Sequence, residues 1–274
     1  MKEEDIKKNV REGYAKIATK GKSCCSPVTS CCGSEGRAVE ISQKIGYGKD
    51  EIESVPEGAN LGLGCGNPVA LATLKPGEIV LDLGSGAGFD CFLAAKKVGA
   101  SGKVIGVDMT PEMLEKAREN ARNGNYANVE FRLGEIENLP APDNSIDAVI
   151  SNCVINLSPD KKQVFKEAFR VLKPGGRLMV SDIVLHKELP DVIKNSVESY
   201  IGCLSGAIKK DEYIKSIKDT GFKDVRIIDE TKYPIEFMVN DPTAKAIIEN
   251  FNIPEDELKS IADSVVSIKV QGTK

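Results

Sequence analysis

Apolar positions along the chain change their period several times. Ile6, Val10, Tyr14 and Ile17 recur at near-helical spacing across residues 4–18, which predicts an amphipathic helix. From Gly21 to Gly36 that period is lost among glycine, serine and cysteine, a composition expected of an irregular, mobile segment. A short helix is expected near 38–45, and a second irregular segment ends in NLGLGCGNPVALA.

From residue 78 onward strands and helices alternate. EIVLDLG reads as a buried strand, Phe89–Val98 as a helix, KVIGVD as a second strand, and TPEMLEKAREN as a helix with Thr110 at the N-cap and Pro111 at the first helical position. NVEFRLG and SIDAVISN follow as strands, then a helix over 160–172 and the strand GRLMVSDIV. Beyond Pro190 the pattern predicts helices near 191–202 and 211–219, a strand at KDVRIID, and closing strands near 235–239 and 264–270. The fold class is α/β: a doubly wound, mostly parallel sheet with helices on both faces. With no internal repeat or low-complexity linker, the chain divides into 1–60 (helix and cysteine-rich segment), 61–190 (the alternating core) and 191–274 (a smaller C-terminal part that completes the sheet).

Composition narrows the chemistry. The 274 residues are 41% hydrophobic and 28% charged, enough for one large core or two modest domains. The 37 basic and 41 acidic residues leave a net charge of -4 with no polybasic block, which argues against nucleic acid as a partner. MKEEDIKKNVREG lacks the apolar run of a signal peptide, and no window reaches the ~18 apolar residues of a membrane span. A soluble, cytoplasmic protein without a membrane partner is expected. The single histidine, His186 in DIVLHKE, reads as a surface or helix-entry residue and excludes a histidine-rich zinc site. Eight cysteines in a cytoplasmic chain read as working thiols or buried packing residues, because structural disulfides are rare in that compartment.

The first core strand runs into Asp82, Leu83, Gly84, Ser85, Gly86, Ala87 and Gly88 and then a helix. Glycines there let backbone approach a ligand at the carboxyl edge of the sheet, although a tight turn that serves packing alone is the competing reading. The spacing is GxGxG, not the GxGxxG of dinucleotide enzymes. Asp108 ends the second strand 24 residues after Gly84, placed to accept hydrogen bonds from a ribose diol. This LDLGSGAG…VDMT pattern resembles the Rossmann-like S-adenosylmethionine-dependent methyltransferases. The resemblance implies S-adenosylmethionine as cofactor, with Asp82, Gly84, Ser85, Gly86 and Gly88 around the methionine moiety, Asp108 and Met109 at the ribose, and Glu135 and Ile136 at the adenine.

Cys65 lies in GLGCGNP, Cys153 in ISNCVINL and Cys203 in SYIGCLSGA. The last two follow core strands, and Cys65, in a glycine-rich loop, is placed to fold over the same edge. Cys91, inside the helix after the glycine loop, reads as a small buried hydrophobe. Zinc is disfavoured, since there is no CxxC pair and adjacent cysteines such as Cys24 and Cys25 make poor joint ligands. Three converging thiolates suit a soft, three-coordinate centre with a lone pair, and trivalent arsenic is one. GLGCGNPVALATLKPGEIVLDLGSGAGFDCFLAA, VDMTPEMLEKAR, SNCVINLSPDKKQVFKEAFRVLKPGGRLMVSDIV and GCLSGA resemble the arsenite methyltransferases, over roughly residues 60 to 230. The resemblance implies arsenite and methylarsenite as substrates, Cys65, Cys153 and Cys203 as catalytic thiols that hold arsenic, and Cys24, Cys25, Cys31 and Cys32 as redox candidates. It also implies a thiol reductant, thioredoxin or glutathione. Cys65 is the expected transient ligand, because its loop can move. The rival readings are a quinone-type or other small-molecule methyltransferase and a non-catalytic metalloid sensor.

Overall fold

A computed structural model describes residues 3–19, 33–68, 73–189, 204–232 and 263–274. Cys24, Cys25, Cys31, Cys32 and Cys203, the helix expected at 191–202 and the strand expected at 235–239 lie outside them.

Among the described residues, three helices precede the core: α1 (Glu3–Thr19), α2 (Gly33–Lys44) and α3 (Lys49–Glu53). The core then alternates β1 (Ile79–Leu83), α4 (Phe89–Val98), β2 (Lys103–Asp108), α5 (Pro111–Asn123), β3 (Val129–Leu133), β4 (Ile146–Asn152), α6 (Lys161–Val171) and β5 (Leu172–Leu185). Helix α7 (Lys210–Lys218), β6 (Lys223–Lys232) and β7 (Val265–Thr273) follow. The seven strands form one sheet in the order β3-β2-β1-β4-β5-β7-β6, a Rossmann-like arrangement. Strands β1 to β5 pair in parallel, and β7 runs antiparallel between β5 and β6.

Period-two burial builds this sheet from the inside. Leu81 and Leu83 of β1 join Ile105, Val149, Phe165, Ala168 and Tyr213 on one face. Val80, just before them, joins Val104, Ala148, Ile150, Phe92 and Leu114 on the other. Each such side chain contributes about 1.5–3 kcal/mol by leaving water, so a one-residue slip of β1 would turn both sets out of their cores.

Several local expectations are corrected. Gly33–Gly36 belongs to α2, and α3 interrupts the second irregular segment, because a short helix can form without a long apolar stripe when other elements cover it. Helix α6 stops at Val171, where Leu172 turns extended (φ -66°, ψ 140°) and begins β5. Thr110 is the N-cap of α5 and Pro111 its first residue, as expected, although the Thr110 hydroxyl makes no capping hydrogen bond. His186 follows β5 at the surface, as one of its two expected readings had it, and its Nε2 stands 3.1 Å from a carboxylate oxygen of Glu230.

Candidate active site

The strand order reverses at β1 and β4, and a cavity of about 270 Å³ opens beyond their carboxyl ends. Of the residues expected around a cofactor, Asp82, Gly84, Ser85, Gly86, Asp108, Met109 and Ile136 line it. Gly88 and Glu135 do not. Gly88 precedes α4 at φ 95°, where a Cβ would come within 2.8 Å of Phe92 and Phe131, so the missing side chain there serves packing. Glu135 accepts a bond from Lys7 Nζ at 2.7 Å, and Glu137, two residues on, forms part of the wall.

The loop has the features of a ligand cradle. A Cβ on Gly86 (φ 51°) would meet nothing within 4 Å, so the backbone lies open to the cavity, while its amide donates to Asp108 Oδ2 at 2.9 Å. Ser85 Oγ is buried and bonds to nothing among the described residues. An uncovered backbone and an unspent hydroxyl fit a polar ligand that completes their contacts.

Four carboxyl groups face the same space: Glu137 and, flanking or bonded to the glycine loop, the three of Asp82, Asp90 and Asp108. Burial, reinforced by Asp90, holds Asp82 well above the usual carboxylate range. Burial pushes Asp90 up to about 6, against hydrogen bonds from Tyr47 and Asn152. Asp108 is raised by desolvation, opposed by the amides of Thr110 and Gly86. Cys91 is fully buried, as packing alone would require, but its Sγ also donates to Asp82 Oδ2 at 3.2 Å.

Cys153 lines one end of this cavity, and Cys65, which is not part of the lining, stands beside Cys153. Their sulfurs and a carboxylate oxygen of Asp182 all lie within 4.8 Å of one another. Cys153 follows β4 in a left-handed conformation (φ 57°), its amide donating to Ser181 O at 2.8 Å. Cys65 is 3% exposed and held by its backbone: its amide donates to Asn152 Oδ1 at 3.0 Å and its carbonyl accepts from Ser267 Oγ at 2.6 Å. The flanking glycines permit this closeness, since a Cβ on Gly64 would stand 2.7 Å from Asn152 Nδ2 and one on Gly66 would stand 1.8 Å from Ser181 Oγ. The Cys65 loop is thus bonded to both β4 and β7.

Sequence reasoning missed Asp182, Asn152, Asp90 and Tyr47. Asp182 is fully buried, raised to about 7 by that burial, and bonded by Tyr213 Oη at 2.9 Å, Asn156 Nδ2 at 2.8 Å and its neighbour's amide at 2.9 Å. An aspartate inside the otherwise apolar run GRLMVSDIV was the available signal.

A family model described as a methyltransferase domain matches residues 74–221. The chain is 52% identical over 231 residues to an arsenite methyltransferase from Halobacterium salinarum, a match that covers 82% of this chain and 59% of that protein. It is 34% identical over 237 residues to the arsenite methyltransferase of Mus musculus, covering 82% and 60%. It thus spans about 60% of the length of these curated relatives. The crystal structure of an arsenic (III) S-adenosylmethionine methyltransferase from Chlamydomonas reinhardtii superposes with a TM-score of 0.63 at 35% identity, covering 86% of this chain and 73% of that one.

Proposed function

The chain belongs to the arsenite methyltransferase family, and from that premise we propose that it moves a methyl group from S-adenosylmethionine to trivalent arsenic held by cysteine thiols. The observation that carries this reading is the convergence of Cys65 and Cys153, from distant parts of the chain, beside the glycine-loop cavity. Cys153 at one wall, with Cys65 beside it, and a cofactor cradle at another bring donor and acceptor into reach. The third thiol in this reading is Cys203.

Asp82 and the loop of Gly84, Ser85 and Gly86 take the methionine end of the cofactor, Asp108 and Met109 the ribose, and Ile136 the adenine. Glu137 replaces Glu135 and Gly88 leaves the set, since neither Glu135 nor Gly88 lines the cavity. When bound, S-adenosylmethionine supplies an electrophilic methyl group on a sulfonium sulfur.

Arsenite condenses with the thiols, each S–As bond releasing one water from an S–H and an As–OH. The thiolate-bound arsenic keeps its lone pair, so methyl transfer requires no general base. The chain's task is positioning: Cys65 and Cys153 present the lone pair, and the three carboxyl groups favour a cationic donor. Val10 and Leu157, both buried against this thiol end, help keep water out. Transfer formally oxidises arsenic by two electrons. Two thiols that close a disulfide return them, and a thiol reductant of the thioredoxin or glutathione type reopens it. The cysteines of the N-terminal segment, Cys24, Cys25, Cys31 and Cys32, are the proposed redox partners, and cytoplasm is the proposed compartment.

The test is incubation of purified protein with arsenite, S-adenosylmethionine and a thiol, followed by arsenic speciation by mass spectrometry. Methylated arsenicals are expected. Cofactor binding without any arsenic methylation would favour another small-molecule acceptor, and arsenite binding without cofactor binding would favour a sensor.

A further inference from the structure

One amide side chain touches both halves of this site. Asn152, the last residue of β4, precedes Cys153 and lines the cavity. Its Oδ1 accepts from the Cys65 amide at 3.0 Å. Its Nδ2 faces three acceptors: Gly66 O at 2.8 Å, Tyr47 Oη at 2.9 Å and Asp90 Oδ2 at 3.2 Å. Asp90 stands in the first turn of α4, the helix that the glycine loop feeds, and Tyr47 closes the triangle by donating to Asp90 Oδ1 at 2.6 Å. The Cys65 loop presses directly on this amide, as the missing Cβ of Gly64 requires.

A serine or alanine is too short to reach these partners together, and an aspartate keeps the shape but lacks the donors. The arrangement is a brace: it ties one thiol loop, the strand end that carries the other thiol, and the helix behind the cofactor loop. A side chain that served stability alone would not need to join these three elements.

We propose that Asn152 is a positioning residue, setting the distance between the arsenic-holding thiols and the methyl donor by bracing the Cys65 loop against the start of α4. This rests on the functional reading above. A misplacement of about 1 Å costs on the order of a hundredfold in rate when the reacting groups must be aligned.

The experiment compares wild type, Asn152→Ala and Asn152→Asp by two readouts. The first is iodoacetamide labelling of the protein without cofactor, followed residue by residue by mass spectrometry, with amide hydrogen exchange of α6, away from the brace, as the control for global loosening. Cys65 should label at least tenfold faster in the variants while exchange in α6 keeps its wild-type rate. The second is single-turnover methyl transfer at saturating arsenite and S-adenosylmethionine, with S-adenosylhomocysteine and arsenite affinities measured separately. The rate should fall about a hundredfold in Asn152→Ala, with both affinities within about threefold of wild type. Faster Cys65 labelling together with faster exchange throughout α6 would reduce Asn152 to a stabilising role and overturn the proposal. So would unchanged Cys65 labelling, or faster labelling with an unchanged transfer rate. If wild type itself methylates no arsenic, the functional reading fails, while labelling still decides whether Asn152 holds the Cys65 loop.

Discussion

Asp82, Asp90 and Asp108 place three carboxyl groups around one small cavity, each with its proton held more tightly than in water. A ligand with a positive sulfonium and an ammonium group favours the ionised forms, so its binding should expel protons. The sign follows: Asp90, raised to about 6, is protonated below that pH and must ionise to meet the cation, so affinity falls as pH drops through 6. S-adenosylmethionine should therefore bind more weakly at pH 5.5 than at pH 7.5, by about threefold or more, with proton release visible by calorimetry in buffers of different ionisation enthalpy. S-adenosylhomocysteine, which lacks the sulfonium charge, should depend less on pH, and equal dependence would remove these carboxyl groups from the sulfonium's surroundings. A second consequence concerns Cys65. Held at both its amide and its carbonyl, it stands as firmly as Cys153, and the ground for treating it as a transient ligand is gone. Cys65→Ser should lose methylation of arsenite and of methylarsenite alike in product speciation. Retained activity on methylarsenite would restore the division of labour that loop composition suggested. The glycine loop and Asp108 were legible because strand, turn and acidic strand end are neighbours in sequence. Asn152 was not, because it meets Tyr47 across 105 residues and only the sheet brings them together.

Helix α1 shows what an element adds to those residues. Its amphipathic spacing was legible, but periodicity says only that one face is covered, not by what. That face turns Lys7, Val10, Tyr14 and Ile17 to the cofactor cavity, and Val10, 1% exposed, packs in one cluster with Cys65, Cys153, Leu157 and Ile183. Lys7 adds ion pairs with Glu135 at 2.7 Å and Glu137 at 3.3 Å. These contacts are unequal. The Glu135 carboxylate is 46% exposed, and solvent-screened pairs contribute about 0–1 kcal/mol, whereas truncating buried Val10 to alanine costs roughly 2 kcal/mol in lost burial and cavity. If α1 forms the cavity wall through its apolar face, Val10→Ala should weaken S-adenosylhomocysteine binding about tenfold and Lys7→Gln less than about fivefold. The reverse order in calorimetry would make the helix an electrostatic latch. Helix α2 was less legible because Gly33, Ser34 and Gly36 give its first turn no apolar stripe.

At the scale of the whole molecule, the strands of the core were readable one by one, but their order β3-β2-β1-β4-β5-β7-β6 was not, since β-branched runs specify a strand and not its neighbours. That order creates the crevice at β1 and β4 and brings Cys153 to its wall and Cys65 beside Cys153, from opposite sides of the glycine loop in sequence. Ser267 of β7, from the far end of the chain, then fastens Cys65 by its carbonyl. The two sulfurs thus converge through β4, the Cys65 loop and β7. Capture and turnover should consequently separate. Binding arsenic needs thiols already at the crevice, while each further cycle needs electrons to return oxidised arsenic to its trivalent state, which thiols elsewhere can deliver by exchange. Replacing Cys24, Cys25, Cys31 and Cys32 together by serine should leave arsenite affinity within about threefold and preserve a first methylation in single-turnover mixing. The multiple-turnover rate, with thioredoxin or glutathione as reductant, should fall at least tenfold. Loss of arsenite binding in that variant would move these cysteines into the primary site, and an unchanged steady-state rate would place the reducing thiols elsewhere in the chain.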